Sequence, residues 1–109
     1  MDLTFSTEER LSILRVMWDV SISDGHLAAS EIAAMATASV AIGIQEHEAE
    51  SMLDAALKRS VSSSLLCLGK MQTEKKAATF IFLKELIHAD GVVDSNEMEI
   101  AKAIISHMT

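Results

Sequence analysis

Apolar positions first settle into a rhythm just after Ser6-Thr7-Glu8-Glu9. Leu11, Leu14, Trp18 and Ile22 recur at helical spacing, and Ile13, Val16, Met17 and Val20 widen that stripe. So broad an apolar face predicts a well-buried helix. Ser6 and Glu9 fit a capping box, in which the serine hydroxyl and the glutamate each satisfy an orphan amide of the first turn. The rhythm stops at Asp24-Gly25, a turn dipeptide whose glycine can take the left-handed conformation that ends helices.

A second helix is expected from about Ala29 to Ile42, with Gly43 as its stop. Its alanines (Ala29, Ala33, Ala34, Ala36, Ala38 and Ala41) leave room for a neighbour to approach closely. A third helix is expected over about Glu46 to Arg59. Glu46, Glu48 and Glu50 at its start and Lys58 and Arg59 at its end complement the helix macrodipole. Ala49, Met52, Leu53 and Ala56 are its apolar stripe. The run Ser60-Val61-Ser62-Ser63-Ser64 interrupts the pattern and reads as a short joint whose serines can cap the next turn, followed by a short helix carrying Leu65, Leu66, Cys67 and Leu68 before Gly69. Thr73 opens a long helix to about Ala89, with Phe80, Leu83 and Ile87 on one face, and Asp90-Gly91 ends it. Asp94-Ser95-Asn96-Glu97 is another capping box, and Met98, Ala101, Ile105 and Met108 stripe the last helix.

Every element is thus a helix, and composition agrees. The 109 residues include no proline and four glycines, while half are hydrophobic. Loop-rich and all-β chains lean on the turn residues missing here, and disordered chains lack the apolar content. The expectation is one all-α domain over residues 1–109. Sixteen acidic residues against nine basic ones give a net charge of −7, which excludes the basic footprint of a nucleic-acid binder and suits cations or basic partners. The longest uncharged stretch, Ile32 to Gln45, is too short to span a bilayer. The start, Met1-Asp2-Leu3-Thr4-Phe5, lacks the basic region of a signal peptide, and the single cysteine, Cys67, cannot form an internal disulfide. A cytoplasmic location is expected on these grounds.

The informative feature is duplication. The segment from Ile22 to Ile32 lies over the segment from His88 to Met98, and Asp-Gly-x-apolar-x-x-x-Glu recurs as Asp24-Gly25-His26-Leu27 to Glu31 and Asp90-Gly91-Val92-Val93 to Glu97. The chain reads as two helix–Asp-Gly corner–helix halves, about residues 6–43 and 73–109, linked by 44–72. Related halves usually pack about a pseudo-twofold axis, which would let the corners meet. Asp24, Glu31, Asp90 and Glu97 would then converge, and such a cluster repels itself unless a proton or cation neutralises it. All-oxygen donors suit Ca²⁺, Mg²⁺ or Mn²⁺ better than Zn²⁺. Gly25 and Gly91 would permit the turns. The corners are not EF-hand loops: with Gly25 at position 6, positions 1 and 3 fall on Val20 and Ile22, and in the second copy on Leu86 and His88. The same residues also make sense without a metal, since Asp-Gly is a common turn and Asp94 to Glu97 a capping box.

The two motif copies, with the lead-in Leu86-Ile87-His88-Ala89-Asp90-Gly91, resemble the TerB-like domain of tellurite resistance proteins. The resemblance implies an all-α bundle of two related halves whose acidic motif residues, here Asp24, Glu31, Asp90 and Glu97, cluster between the halves and bind divalent metal ions. It also implies a stress or tellurite-resistance context, no enzymatic activity, and relatives that serve as interaction units in J-domain co-chaperones. The copies are unequal, because Ala28 stands where the second has Asp94.

Other chemistry is thin. Cys67, among leucines, reads as a buried thiol. His26, His47, His88 and His107 are scattered rather than grouped as ligands. Asp19 and Glu85 align across the repeat and, with Asp94, are candidate outer groups that orient the cluster. No nucleophile or phosphate-loop motif is present. The functional expectation is a non-enzymatic cation-binding domain. The alternative is a helical protein–protein interaction module whose acidic cleft takes a basic partner without metal. The partner is unnamed by the sequence, direct membrane insertion and nucleic acid are not expected, and homo-oligomerisation is left open.

Overall fold

The computed structural model describes residues 4–22 and 29–87, with the backbone alone at Glu31 and Ile87. Helix α1 spans Thr7–Ser21 and starts as its capping box requires. The Glu9 amide donates to Ser6 Oγ at 3.1 Å, and the Ser6 amide donates to Glu9 Oε1 at 2.8 Å. Lys75 Nζ also reaches Glu9 Oε1 at 2.9 Å and sits 5.6 Å from the Phe5 ring centroid, so the cap is pinned from a distant helix.

Four further helices surround α1: α2 (Ala29–Ala41), α3 (Ala49–Leu57), α4 (Val61–Gly69) and α5 (Thr73–Ile87). All four pack on α1, and α4 does so most extensively. Its deepest residues are Ile13, Leu14, Val16, Met17 and Val20, whereas Leu11 and Trp18 are half-buried and Ile22 is exposed. The stripe that looks primary in the sequence is therefore mostly the margin. Periodicity within a helix locates a wide apolar arc, while its neighbours choose the centre of that arc.

The end of α2 follows from one glycine. Gly43 takes φ +91°, and the chain closes with Gly43 N–H to Val40 O at 3.0 Å and Ile44 N–H to Ser39 O at 2.9 Å. That is the Schellman pattern, which satisfies the last carbonyls of a helix. Arg10 Nε donates to Ile42 O at 2.9 Å, so α1 holds this corner directly. A short 3₁₀ turn, Glu46–Glu48, leads into α3. At its far end Arg15 Nη1 donates to Leu57 O at 3.1 Å, placing a cation where α3 leaves carbonyls unpaired.

The serine run supplies the expected cap, but from Val61 on it is helix rather than a joint. Ser60 caps α4 by accepting from the Ser63 amide at 3.0 Å, and Ser62, Ser63 and Ser64 lie within the helix. Ser64 is buried with its hydroxyl bonded to Ser60 O at 3.0 Å. Serine is a middling helix former, so a strong cap followed by the fully buried Leu68 is enough to draw the run into helix. Helix α5 buries Thr79, Leu83 and Leu86 against α1 and α2. Among the described residues there is no strand, and the chain is all-α. The predicted last helix, from Asp94, lies outside the described residues, and with it the pairing of the two halves.

Leu68→Ala should lower unfolding free energy by about 2–5 kcal/mol in urea titration, because it empties a fully buried site. Leu66→Ala, at a residue 61% exposed, should stay within about 0.5 kcal/mol. Gly43→Ala should cost about 1 kcal/mol or more. Its Cβ would sit 3.1 Å from Arg10 Nη2 and the positive φ disfavours any side chain.

Candidate functional site

Helix α1 ends at Ser21, capped by Ile22, and α2 begins at Ala29, so helices bracket the first Asp-Gly corner on both sides. Asp24, Gly25 and His26 lie between them, outside the described residues. Glu31 is the third residue of α2, in the first turn as expected. Asp90, Gly91, Asp94 and Glu97, with His88, also lie outside the described residues. Among the described residues, no group of three or more histidines, cysteines, aspartates or glutamates is placed to hold a metal ion.

The two outer carboxylates differ. Asp19 sits one turn before the corner, half-buried, with Arg15 Nη2 3.5 Å from its Oδ1. Burial pushes the Asp19 carboxyl above the usual carboxylate range, and the Arg15 charge opposes this only in part. Asp19 is thus already partnered within its own helix. Glu85 is exposed on α5. His47 is exposed on the 3₁₀ turn.

Two concavities lie elsewhere. A polar cleft of about 710 Å³ opens between the start of α1 and α4. Ser60, Ser63, Cys67 and Lys70 fall on one face of α4 and look across it at Ser6, Glu8 and Glu9. Its charges are largely matched: Arg59 Nη1 is 4.0 Å from Glu8 Oε1, and Glu9 is held by Lys75. Cys67 is half-exposed on this cleft rather than buried, because the deep face of α4 belongs to Ser64 and Leu68. Burial alone would raise the Glu9 carboxyl, but the Ser6 hydrogen bonds and the Lys75 ammonium together hold it below the usual range.

The second concavity is an apolar groove of about 380 Å³. Leu14 and Trp18 of α1 form its floor. Ile32, Met35, Ala36 and Ser39 of α2 form one wall, and Ala49, Glu50 and Leu53 of α3 the other. It exists because α2 and α3 both pack on α1 but make no substantial contact with each other. The sequence reading missed it. Its signal is the uncharged run from Ile32 to Gln45, whose alanines suggest a closely packed neighbour and whose length falls short of a membrane span. No helix among the described residues is long and apolar enough to cross a membrane.

Comparison with known proteins adds two findings. The family model described as tellurite resistance protein TerB matches residues 1–54, a span that includes Asp24 and Glu31 but ends before the second motif copy. The TerB-like resemblance drawn from the Asp-Gly corners is thereby shown over that span. A crystal structure of a protein of unknown function from Porphyromonas gingivalis W83 is similar, with TM-score 0.85 and 24% identity over 97% of this chain and 86% of that one. At that identity the likeness speaks for the fold alone. No curated protein matches.

The two perturbed carboxyls should pull stability in opposite directions with pH. A carboxyl raised in the folded state, Asp19, weakens the fold as pH climbs past its unfolded pKa and through its folded one. Asp19→Asn should therefore gain stability relative to the parent chain between about pH 3 and pH 7. A carboxyl lowered in the folded state, Glu9, contributes stability that is lost as pH falls through its folded pKa. Glu9→Gln should be the less stable protein at neutral pH, and the gap should close in acid. Urea unfolding across that pH range reads both.

Proposed function

We propose that this chain, TerB-like by its match over residues 1–54, is a non-enzymatic helical domain that binds a divalent cation through its two Asp-Gly corners. The observation that carries the reading is the recurrence of Asp-Gly-x-apolar-x-x-x-Glu at Asp24–Glu31 and Asp90–Glu97, each copy preceded by an apolar helix. The donor chemistry fits the group: Asp24, Glu31, Asp90 and Glu97 offer only carboxylate oxygens, the ligands hard cations prefer. The local frame supports it as well. Helix α1 ends just before the first corner and α2 begins just after it, with Glu31 in the first turn of α2. Asp19 engages Arg15 and is assigned no role as a ligand.

When bound, the ion supplies the positive charge that lets four carboxylates share one site. The residues do the rest: Gly25 and Gly91 permit the turns, and the helices keep the acids from dispersing into water. A role in tellurite resistance or a wider stress response belongs to the same proposal, since it rests on the family name. Tying the two halves together through a cation would also give the cell a way to regulate docking of a partner.

Metal-stripped protein titrated with Ca²⁺, Mg²⁺, Mn²⁺ and Zn²⁺ tests this through its melting temperature. At least one hard cation should raise it, with a gain in stability of about 2.7 kcal/mol at a hundredfold excess over Kd that keeps growing with the logarithm of ion concentration. Asp24→Ala and Asp90→Ala should each abolish the response. A protein indifferent to all four ions at millimolar concentration defeats the reading and returns the chain to a metal-free interaction module.

A further inference from the structure

The groove between α2 and α3 has two unlike rims. On the α2 side the outer positions Ile32, Ala33, Ala36 and Val40 are all exposed and uncharged, Ile32 at 51% and Val40 at 73%. On the α3 side Glu50 and Asp54 are exposed one turn apart, Glu46 is exposed on the 3₁₀ turn before them, and Glu50 lines the groove itself. Between the rims lie the half-buried Trp18 and the buried Leu14. Solvating so much apolar surface is unfavourable, and a contiguous apolar patch with a polar border marks a binding surface.

The chemistry of the groove narrows its occupant. A small polar ligand would need convergent polar groups to orient it. Of the lining residues only Trp18, Ser39 and Glu50 carry polar side-chain atoms, and the Ser39 hydroxyl is already donated to Met35 O at 2.8 Å. A groove of about 380 Å³ instead suits the few large apolar side chains that a helix presents at i, i+4 and i+7. A second copy of this chain fits poorly, since with sixteen acidic residues against nine basic it would bring acid toward the α3 rim. Charge complementarity asks for a cationic flank.

We propose that the groove between α2 and α3 docks a basic amphipathic helix of a partner protein, its apolar face over Leu14 and Trp18 and its lysines or arginines against Glu46, Glu50 and Asp54. The inference goes beyond the cation reading and stands without it, because none of these residues belongs to the Asp-Gly corners. Trp18 is the anchor on this side, a large aromatic surface that a partner can cover at little entropic cost. The acidic rim speeds encounter and sets the orientation of the incoming helix, while the apolar floor holds it.

Trp18 is the single tryptophan of the chain, so its emission reports on the groove directly. The probes are two synthetic amphipathic peptides with leucines at i, i+4 and i+7, one flanked by lysines and one by glutamates. The lysine peptide should shift Trp18 emission to the blue, saturably, at micromolar concentration. The glutamate peptide should bind about tenfold more weakly or worse. Ile32→Glu should weaken the lysine peptide about tenfold, and Glu50→Lys should weaken it while improving the glutamate peptide. Both residues are exposed, and an unchanged circular dichroism spectrum and melting temperature confirm that each variant is folded. Leu66→Glu, at an exposed apolar residue outside the groove, should leave the titration as it was. The inference fails if Trp18 gives no saturable shift, if the two peptides bind equally, or if Leu66→Glu weakens binding as much as Ile32→Glu. It also fails if the shift arises without peptide as protein concentration rises and a dimer mass appears, since the occupant is then a second copy.

Discussion

Burial of α1 on nearly every side is the constraint on which the rest of the molecule depends. Ile13, Val16, Met17 and Val20 are essentially without solvent contact, and each of the other four described helices leans on this one. Two arginines extend its reach. Arg10 satisfies the carbonyl that follows α2, and Arg15 satisfies the carbonyl at the end of α3. Helix ends leave carbonyls without intrahelical partners, and leaving such groups dry is costly. By answering both, α1 ties the ends of α2 and α3 to itself. Neither helix then needs the other, and the slot between them follows from that division.

The same helix leads into the first Asp-Gly corner. Its apolar arc runs up to Ser21, and α2 resumes at Ala29 with Glu31 in its opening turn. Asp19, near the end of α1, has Arg15 beside it and a raised affinity for a proton because it is half-buried. Charges in this protein sort by place. Those near the core are matched, as at Glu9 with Lys75 and Asp19 with Arg15, while Glu46, Glu50 and Asp54 face solvent. A surplus of negative charge on outer faces favours cationic visitors, whether ions or basic segments.

Helix capping and glycine were legible in the sequence because they are local. The Ser6–Glu9 box needs only four residues, and Gly43 ends α2 through hydrogen bonds spanning six. The all-helical class was equally plain, since apolar periodicity recurs throughout and proline is absent. In the serine run the cap was legible, but the reach of the helix was not. Ser60 alone is the cap, and the remaining serines were carried into α4 by the burial of Ser64 and Leu68. Cys67 misled for a related reason: its leucine neighbours suggested a core, but a helix alternates its faces, and the residue looks onto the polar cleft.

What the chain determines unaided is therefore its set of helices, their caps, the duplicated corner and an excess of acid, all of which are encoded within a few residues or in plain counts. Which side of α1 lies deepest, how α2 and α3 part, and where the uncharged run from Ile32 meets Trp18 were decided only by tertiary packing. Those outcomes depend on contacts between residues distant in sequence. The energy of such a contact depends on which helix arrives beside which, and no local pattern carries that information.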